Sequence, residues 1–66
     1  MTRPQRALIH AGIRKLNYDT QTVTLQHTAL DAERRWVGKP VDAWLDTIDQ
    51  ENASLLIRKI QRMTED

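Results

Sequence analysis

Any chemistry in this chain would have to come from two histidines, nine carboxylates and ten lysines and arginines, because its 66 residues contain no cysteine. A thiolate nucleophile, a disulfide and a thiolate metal site are therefore excluded. His10 lies between Ile9 and Ala11 at the margin of an apolar stripe, and His27 between Gln26 and Thr28 reads as a surface position. The one carboxylate at helical spacing from either is Asp31, four residues after His27. That pair could chelate only weakly, whereas a structural zinc takes about four ligands. Asp42, Asp46 and Asp49 raise the question of general acid–base work, and Asp42 and Asp46 share a helix face at i, i+4. No activated nucleophile, glycine-rich phosphate loop, G-x-S-x-G or H-E-x-x-H accompanies them. Capping and solvation account for all three. The reading is no catalytic residue, no metal, no cofactor, and a protein that is not an enzyme.

The cations offer more. Arg3, Arg6 and His10 line one side of the first helix at near-helical spacing, Arg14 continues that side, and Lys15 follows it. Such a row matches phosphates by simple charge and could make several contacts on a nucleic acid. A second group, Arg34-Arg35-Trp36 with Lys39, is basic and aromatic, although Trp36 also fits an apolar stripe. The nucleic-acid-binding candidates are thus Arg3, Arg6, Arg14, Lys15, Arg34 and Arg35. A third basic group is Arg58, Lys59 and Arg62, and acids concentrate at Asp42, Asp46, Asp49 and Glu51. The net charge is only +1, and dedicated DNA binders commonly carry a clear basic excess. No helix-turn-helix signature stands out, since the would-be recognition helix is threonine-rich.

These side chains need elements to hold them. Thr2-Arg3-Pro4-Gln5 has the form of a capping box with proline in the first turn, and Leu8, Ile9, Gly12, Ile13 and Leu16 follow at 3.6-residue spacing. That predicts a helix over 3–16, ended by Asn17 in the left-handed region. Gly12 inside the stripe implies close approach of another helix. Leu25, Ala29, Ala32 and Trp36 fall at i, i+4, i+7 and i+11 with no proline or glycine from 19 to 37, which outweighs the β-branched Thr20, Thr22, Val23 and Thr24. The expectation is a second helix over 20–37, antiparallel to the first and capped by Gly38 before Pro40. Val41, Trp44 and Leu45 predict a short helix over 40–46. Asp49 caps a last helix over 50–63 whose stripe is Ala53, Leu56, Ile57, Ile60 and Met63. Together they form one all-α domain over 1–66, a compact three- to four-helix bundle.

Size bounds what that bundle can do. A chain this short buries only about 60% of its unfolded surface, so its stability is modest and its core must come from aliphatic side chains and two tryptophans. Apolar runs of three residues or fewer exclude a membrane-spanning helix and a signal peptide, and the expected location is the cytoplasm.

The order of residues also resembles known modules. Gln5-x-x-x-Ile9-His10, Arg14-Lys15-Leu16, Asp19, Val37-Gly38-Lys39-Pro40-Val41, Trp44-Leu45 and Ile48-Asp49-x-x-x-Ala53-Ser54-x-x-Ile57-x-x-Ile60 carry the likeness. The pattern, over residues 5–61, resembles helical modules of the Mu-type phage GemA regulatory proteins and the C-terminal tails of some phage single-strand annealing proteins. The resemblance implies an accessory role in phage or prophage DNA transactions or their regulation. Two functions follow as expectations. One is nucleic-acid binding through the basic helix face; the alternative is a protein-interaction module, such as a phage-encoded modulator that binds and inhibits a host protein. The candidate partners are nucleic acid, a host or phage protein, and a second copy of the chain as a homodimer. No membrane is involved in either.

Overall fold

The computed structural model describes residues 1–65. Its elements are α1 (Arg3–Lys15), α2 (Gln26–Ala29), a 3₁₀ turn (Arg34–Trp36), α3 (Val41–Leu45) and α4 (Gln50–Thr64). The fold is an all-α small helical bundle, 62% helical and without strands among the described residues. None of the described helices is long and apolar enough to cross a membrane.

The first helix starts and stops as its residues dictate. The Gln5 amide donates to Thr2 Oγ1 at 3.2 Å while the Thr2 amide donates back to Gln5 Oε1 at 2.9 Å, which completes the capping box. At the far end Asn17 takes φ 64°. Its amide donates to the Arg14 carbonyl, and the Tyr18 amide reaches the Ile13 carbonyl, both at 3.0 Å. This is a Schellman closure, with asparagine tolerating the left-handed position that glycine usually fills.

Residues 20–37 do not form the long helix expected of them. The Asp19 carboxylate accepts from the amides of Gln21 (2.7 Å) and Thr22 (3.1 Å), which bends the chain before a helix can begin. The threonine-rich stretch then runs extended, as its β-branched side chains prefer. It pairs with the segment before α3 through an isolated antiparallel bridge between Thr22 and Pro40. The Val23 amide donates to Lys39, the Gly38 amide to Val23, and the Val41 amide to Gln21. Only one helical turn survives as α2, and Asp31 stops it at φ 58°. Gly38 does adopt a left-handed φ of 83°, but it closes the 3₁₀ turn instead of capping a long helix.

Side-chain burial follows the new path. Leu25, expected on the apolar stripe, is 56% exposed, whereas Val23 and Gln26 are fully buried. Gln26 is the pin of the whole segment. Its Oε1 accepts from the Thr24 amide at 2.7 Å and its Nε2 donates to the Asp19 carbonyl at 2.6 Å. A buried amide that satisfies two loop backbone groups substitutes for the hydrogen bonds a helix would have supplied.

The main packing is between α1 and α4, and these helices run parallel. Gln5 Nε2 near the start of α1 donates to the Gln50 carbonyl and to Ser54 Oγ near the start of α4, each at 3.1 Å. Towards their ends Gly12 lies against Ile60. The antiparallel pair expected from a 20–37 helix is thus replaced by a parallel pair with residues 16–49 as the crossover. Ile9, Ile13, Val41, Leu45, Ala53 and Ile60 meet in the core between α1, α3 and α4. Asp49 caps α4, accepting from the Asn52 amide at 2.8 Å.

Candidate functional site

The first candidate is the basic row of α1, and its neighbour α3 largely answers it. Arg6 Nη1 donates to Asp42 Oδ1 at 2.9 Å, and Arg6 Nη2 pairs with Asp46. His10 Nε2 lies 2.8 Å from the same Asp42 oxygen. The i, i+4 carboxylates of α3 therefore run alongside the Arg6–His10 edge of α1. Hydrogen bonds from His10 and then Arg6 hold the Asp42 carboxyl below the usual carboxylate range. Reciprocally, Asp46 and Asp42 raise the guanidinium pKa of Arg6. Two carboxylates against one arginine and one histidine leave little positive potential there for a phosphate.

The other expected contacts are dispersed. Arg3, Arg14, Lys15 and Arg34 are exposed and make no ion pair among the described residues. Arg35 is held by Glu33 (Nε to Oε2, 3.0 Å) and lies over the Trp36 ring at 5.0 Å from its centroid. Of six candidate phosphate contacts, Arg6 and Arg35 are thus committed to internal carboxylates. The α1 cations and Arg34 sit on separate elements with no contact joining them.

The histidines and acids find structural roles. His27 is half-buried and not a free surface residue; its Nδ1 lies 2.8 Å from the Ala32 carbonyl. Asp31, four residues on, turns to Lys59 of α4 instead of to His27. Among the described residues no three His, Asp or Glu side chains converge in a way that could hold a metal ion.

A different feature is better built. The 30–36 segment, α3 with the turn after it, and α4 enclose an open cleft of about 360 Å³. Trp36, Ile48 and Leu55 supply most of its apolar surface, above the buried Leu30, Trp44 and Leu56. Trp44 is 5% exposed and belongs to the floor, Trp36 is half-buried, and Leu55 stands 53% exposed on the lip. Asp31, Glu33, Thr47, Asn52 and Lys59 complete the lining. The cleft lies at the small end of the ~300–1,000 Å³ range of ligand pockets, a size that suits a few side chains of a partner.

No family model, curated protein or solved structure matches this chain. Its functional reading therefore rests on the residues and their geometry.

The cleft is not legible in the sequence because it depends on the broken path of residues 19–37. Trp36 was assignable to a stripe only if that segment were helical. One signal was available: Leu55 is a bulky apolar residue outside the Ala53/Leu56/Ile57/Ile60 stripe of α4. On a helix of this pattern, an out-of-phase leucine points away from the core.

Proposed function

We propose that this protein is a non-enzymatic interaction module whose partner is another protein, docked in the cleft between Trp36, Trp44 and Leu55. The observation that carries the reading is the cleft itself, a depression of mixed polarity in which half-buried Trp36 and Ile48 and exposed Leu55 meet a polar rim; Trp44 lies buried beneath it and adds little contact surface of its own. Protein interfaces place their energy in such arrangements, with aromatic and aliphatic anchors in a desolvated centre and polar groups around it. Nucleic-acid binding is the weaker reading, because Asp42 and Asp46 offset Arg6, Glu33 pairs with Arg35, and the remaining candidates are divided between α1 (Arg3, Arg14, Lys15) and the 3₁₀ turn (Arg34).

Two leucines of matched exposure make the test. Leu55 on the cleft lip is 53% exposed and Leu8 on α1 is 54% exposed. Peptides selected from a display library against the wild-type chain are measured against Leu55→Glu and Leu8→Glu. Docking in the cleft predicts that Leu55→Glu weakens them at least about tenfold, ~1.4 kcal/mol, while Leu8→Glu binds like wild type. Selected peptides that lose affinity with Leu8→Glu and keep it with Leu55→Glu would falsify the reading.

A further inference from the structure

The cleft does not end at Leu55. A second, shallower depression shares Leu55 and Lys59 with it and is otherwise lined by Arg58 and Arg62. Leu55, Arg58, Lys59 and Arg62 are spaced i, i+3, i+4 and i+7 on α4, so they form one strip about two turns long, roughly 10 Å at 1.5 Å per residue. No acid lines this part of the surface. The opposite lip of the cleft carries the acids Asp31 and Glu33. Glu33 is occupied by Arg35, and Asp31 by Lys59. Across its width the depression thus carries paired acids on one lip, the apolar side chains of Trp36, Ile48 and Leu55 between, and cations along α4.

From this we propose that the occupant is an acidic peptide segment carrying bulky apolar side chains. Its apolar groups fill the Trp36–Trp44 cleft while its carboxylates lie along Arg58, Lys59 and Arg62. The inference rests on the cleft reading above and adds the chemistry of the partner. Arg58 and Arg62 make no ion pair among the described residues, so an incoming carboxylate displaces no internal one. Lys59 is shared, since a ligand carboxylate competes there with Asp31, which is itself 78% exposed. Charge arranged in this way chiefly governs orientation and choice of partner, and the apolar cleft supplies the anchoring.

The probe is a labelled synthetic peptide of glutamates with leucine and phenylalanine at i, i+3 and i+4, read by fluorescence anisotropy at low salt. Its control keeps the apolar residues and replaces each glutamate with lysine. The wild-type chain is expected to bind the acidic peptide at least about tenfold more tightly than the lysine peptide, with the difference shrinking as salt is added. Arg58→Glu/Arg62→Glu, both at exposed positions, reverses that preference. Asp31→Asn, which suits the left-handed backbone there and releases Lys59, tightens the acidic peptide about twofold. Leu55→Glu abolishes binding of both peptides. If the double charge reversal leaves the acidic peptide's affinity unchanged while Leu55→Glu abolishes it, the charge inference fails and the cleft reading stands. If Leu55→Glu has no effect either, both fail. An oligothymidylate that displaces the acidic peptide and depends on the same two arginines would overturn the proposal in favour of a nucleic-acid ligand.

Discussion

At Gly12 a hydrogen in place of a methyl sets how closely α1 and α4 approach. A Cβ built there falls inside the van der Waals envelope of Ile60 Cγ2. Alanine improves helix propensity by about 1 kcal/mol over glycine, but overpacking a close helix contact costs about 1–3 kcal/mol, and a β-branched side chain on a helix has few rotamers into which to retreat. Gly12→Ala is therefore expected to lower the urea midpoint. Ile60→Leu, which moves the branch from Cβ to Cγ, should recover part of the loss in the double variant, and simple additivity would contradict this account. Asp42 gives the second residue-scale expectation. Its folded-state pKa is depressed by His10 and Arg6, so its contribution to stability is present above the unfolded value near ~3.9 and is lost as pH falls through the lower folded value. The contribution is small because Asp42 is largely exposed. Asp42→Asn should flatten the acid limb of a stability–pH curve and leave a separate slope from Asp19, whose carboxyl is also held low, by the Gln21 and Thr22 amides. An unchanged acid limb would show that the α1–α3 pairing contributes nothing. Gly12 was legible in the sequence, because a glycine in an apolar stripe has few other uses. The Arg6–Asp42 pair was not, since its partners lie 36 positions apart.

Among the elements, the legible ones are those with local punctuation. The Thr2–Gln5 box, the Asn17 terminator and the Asp49 cap each act within a few residues, and α1 and α4 lie where those signals put them. Residues 19–40 depart from their apolar spacing, which fits a helix that competing side-chain bonds prevent. Asp19 captures two amides, Gln26 satisfies Thr24 and Asp19, and Asp31 stops α2 after one turn. A short antiparallel pairing of Thr22 with Pro40 replaces the first turn of the expected helix, and no periodicity announces it. Gln26 is the residue on which this depends. Gln26→Leu keeps the volume roughly but leaves the Thr24 amide and the Asp19 carbonyl without their partner. The expected loss is about 1–3 kcal/mol, seen as a lower denaturation midpoint at similar slope. A variant as stable as wild type would mean that these loop groups are satisfied in another way.

For the whole molecule, the parallel arrangement of α1 and α4 decides how charge is distributed. Asp49 and Glu51 at the start of α4 and Arg62 at its end suit that helix's dipole, as Arg14 and Lys15 do at the end of α1, while the α1 N-terminus carries Arg3 and no acid in its first turn. The basic groups that look continuous in the sequence are thereby divided among the helix ends, the 3₁₀ turn and the outer face of α4. The two tryptophans, in contrast, converge from separate segments on one cleft. That convergence could not be read from spacing, because it requires the turn at Asp31 and the crossover after it. With two tryptophans in the chain, the indole region of a ¹⁵N–¹H correlation spectrum holds two resonances, one from half-buried Trp36 and one from buried Trp44, both residues of the cleft lining. The decisive measurement titrates the labelled protein with a display-selected peptide and, separately at the same salt, with duplex and single-stranded DNA. The peptide is expected to shift both indole resonances together with the Leu55 and Lys59 amides, and DNA to leave them in place. DNA that shifts the amides of Arg3, Arg14 and Arg34, with a peptide that moves neither indole, would contradict it.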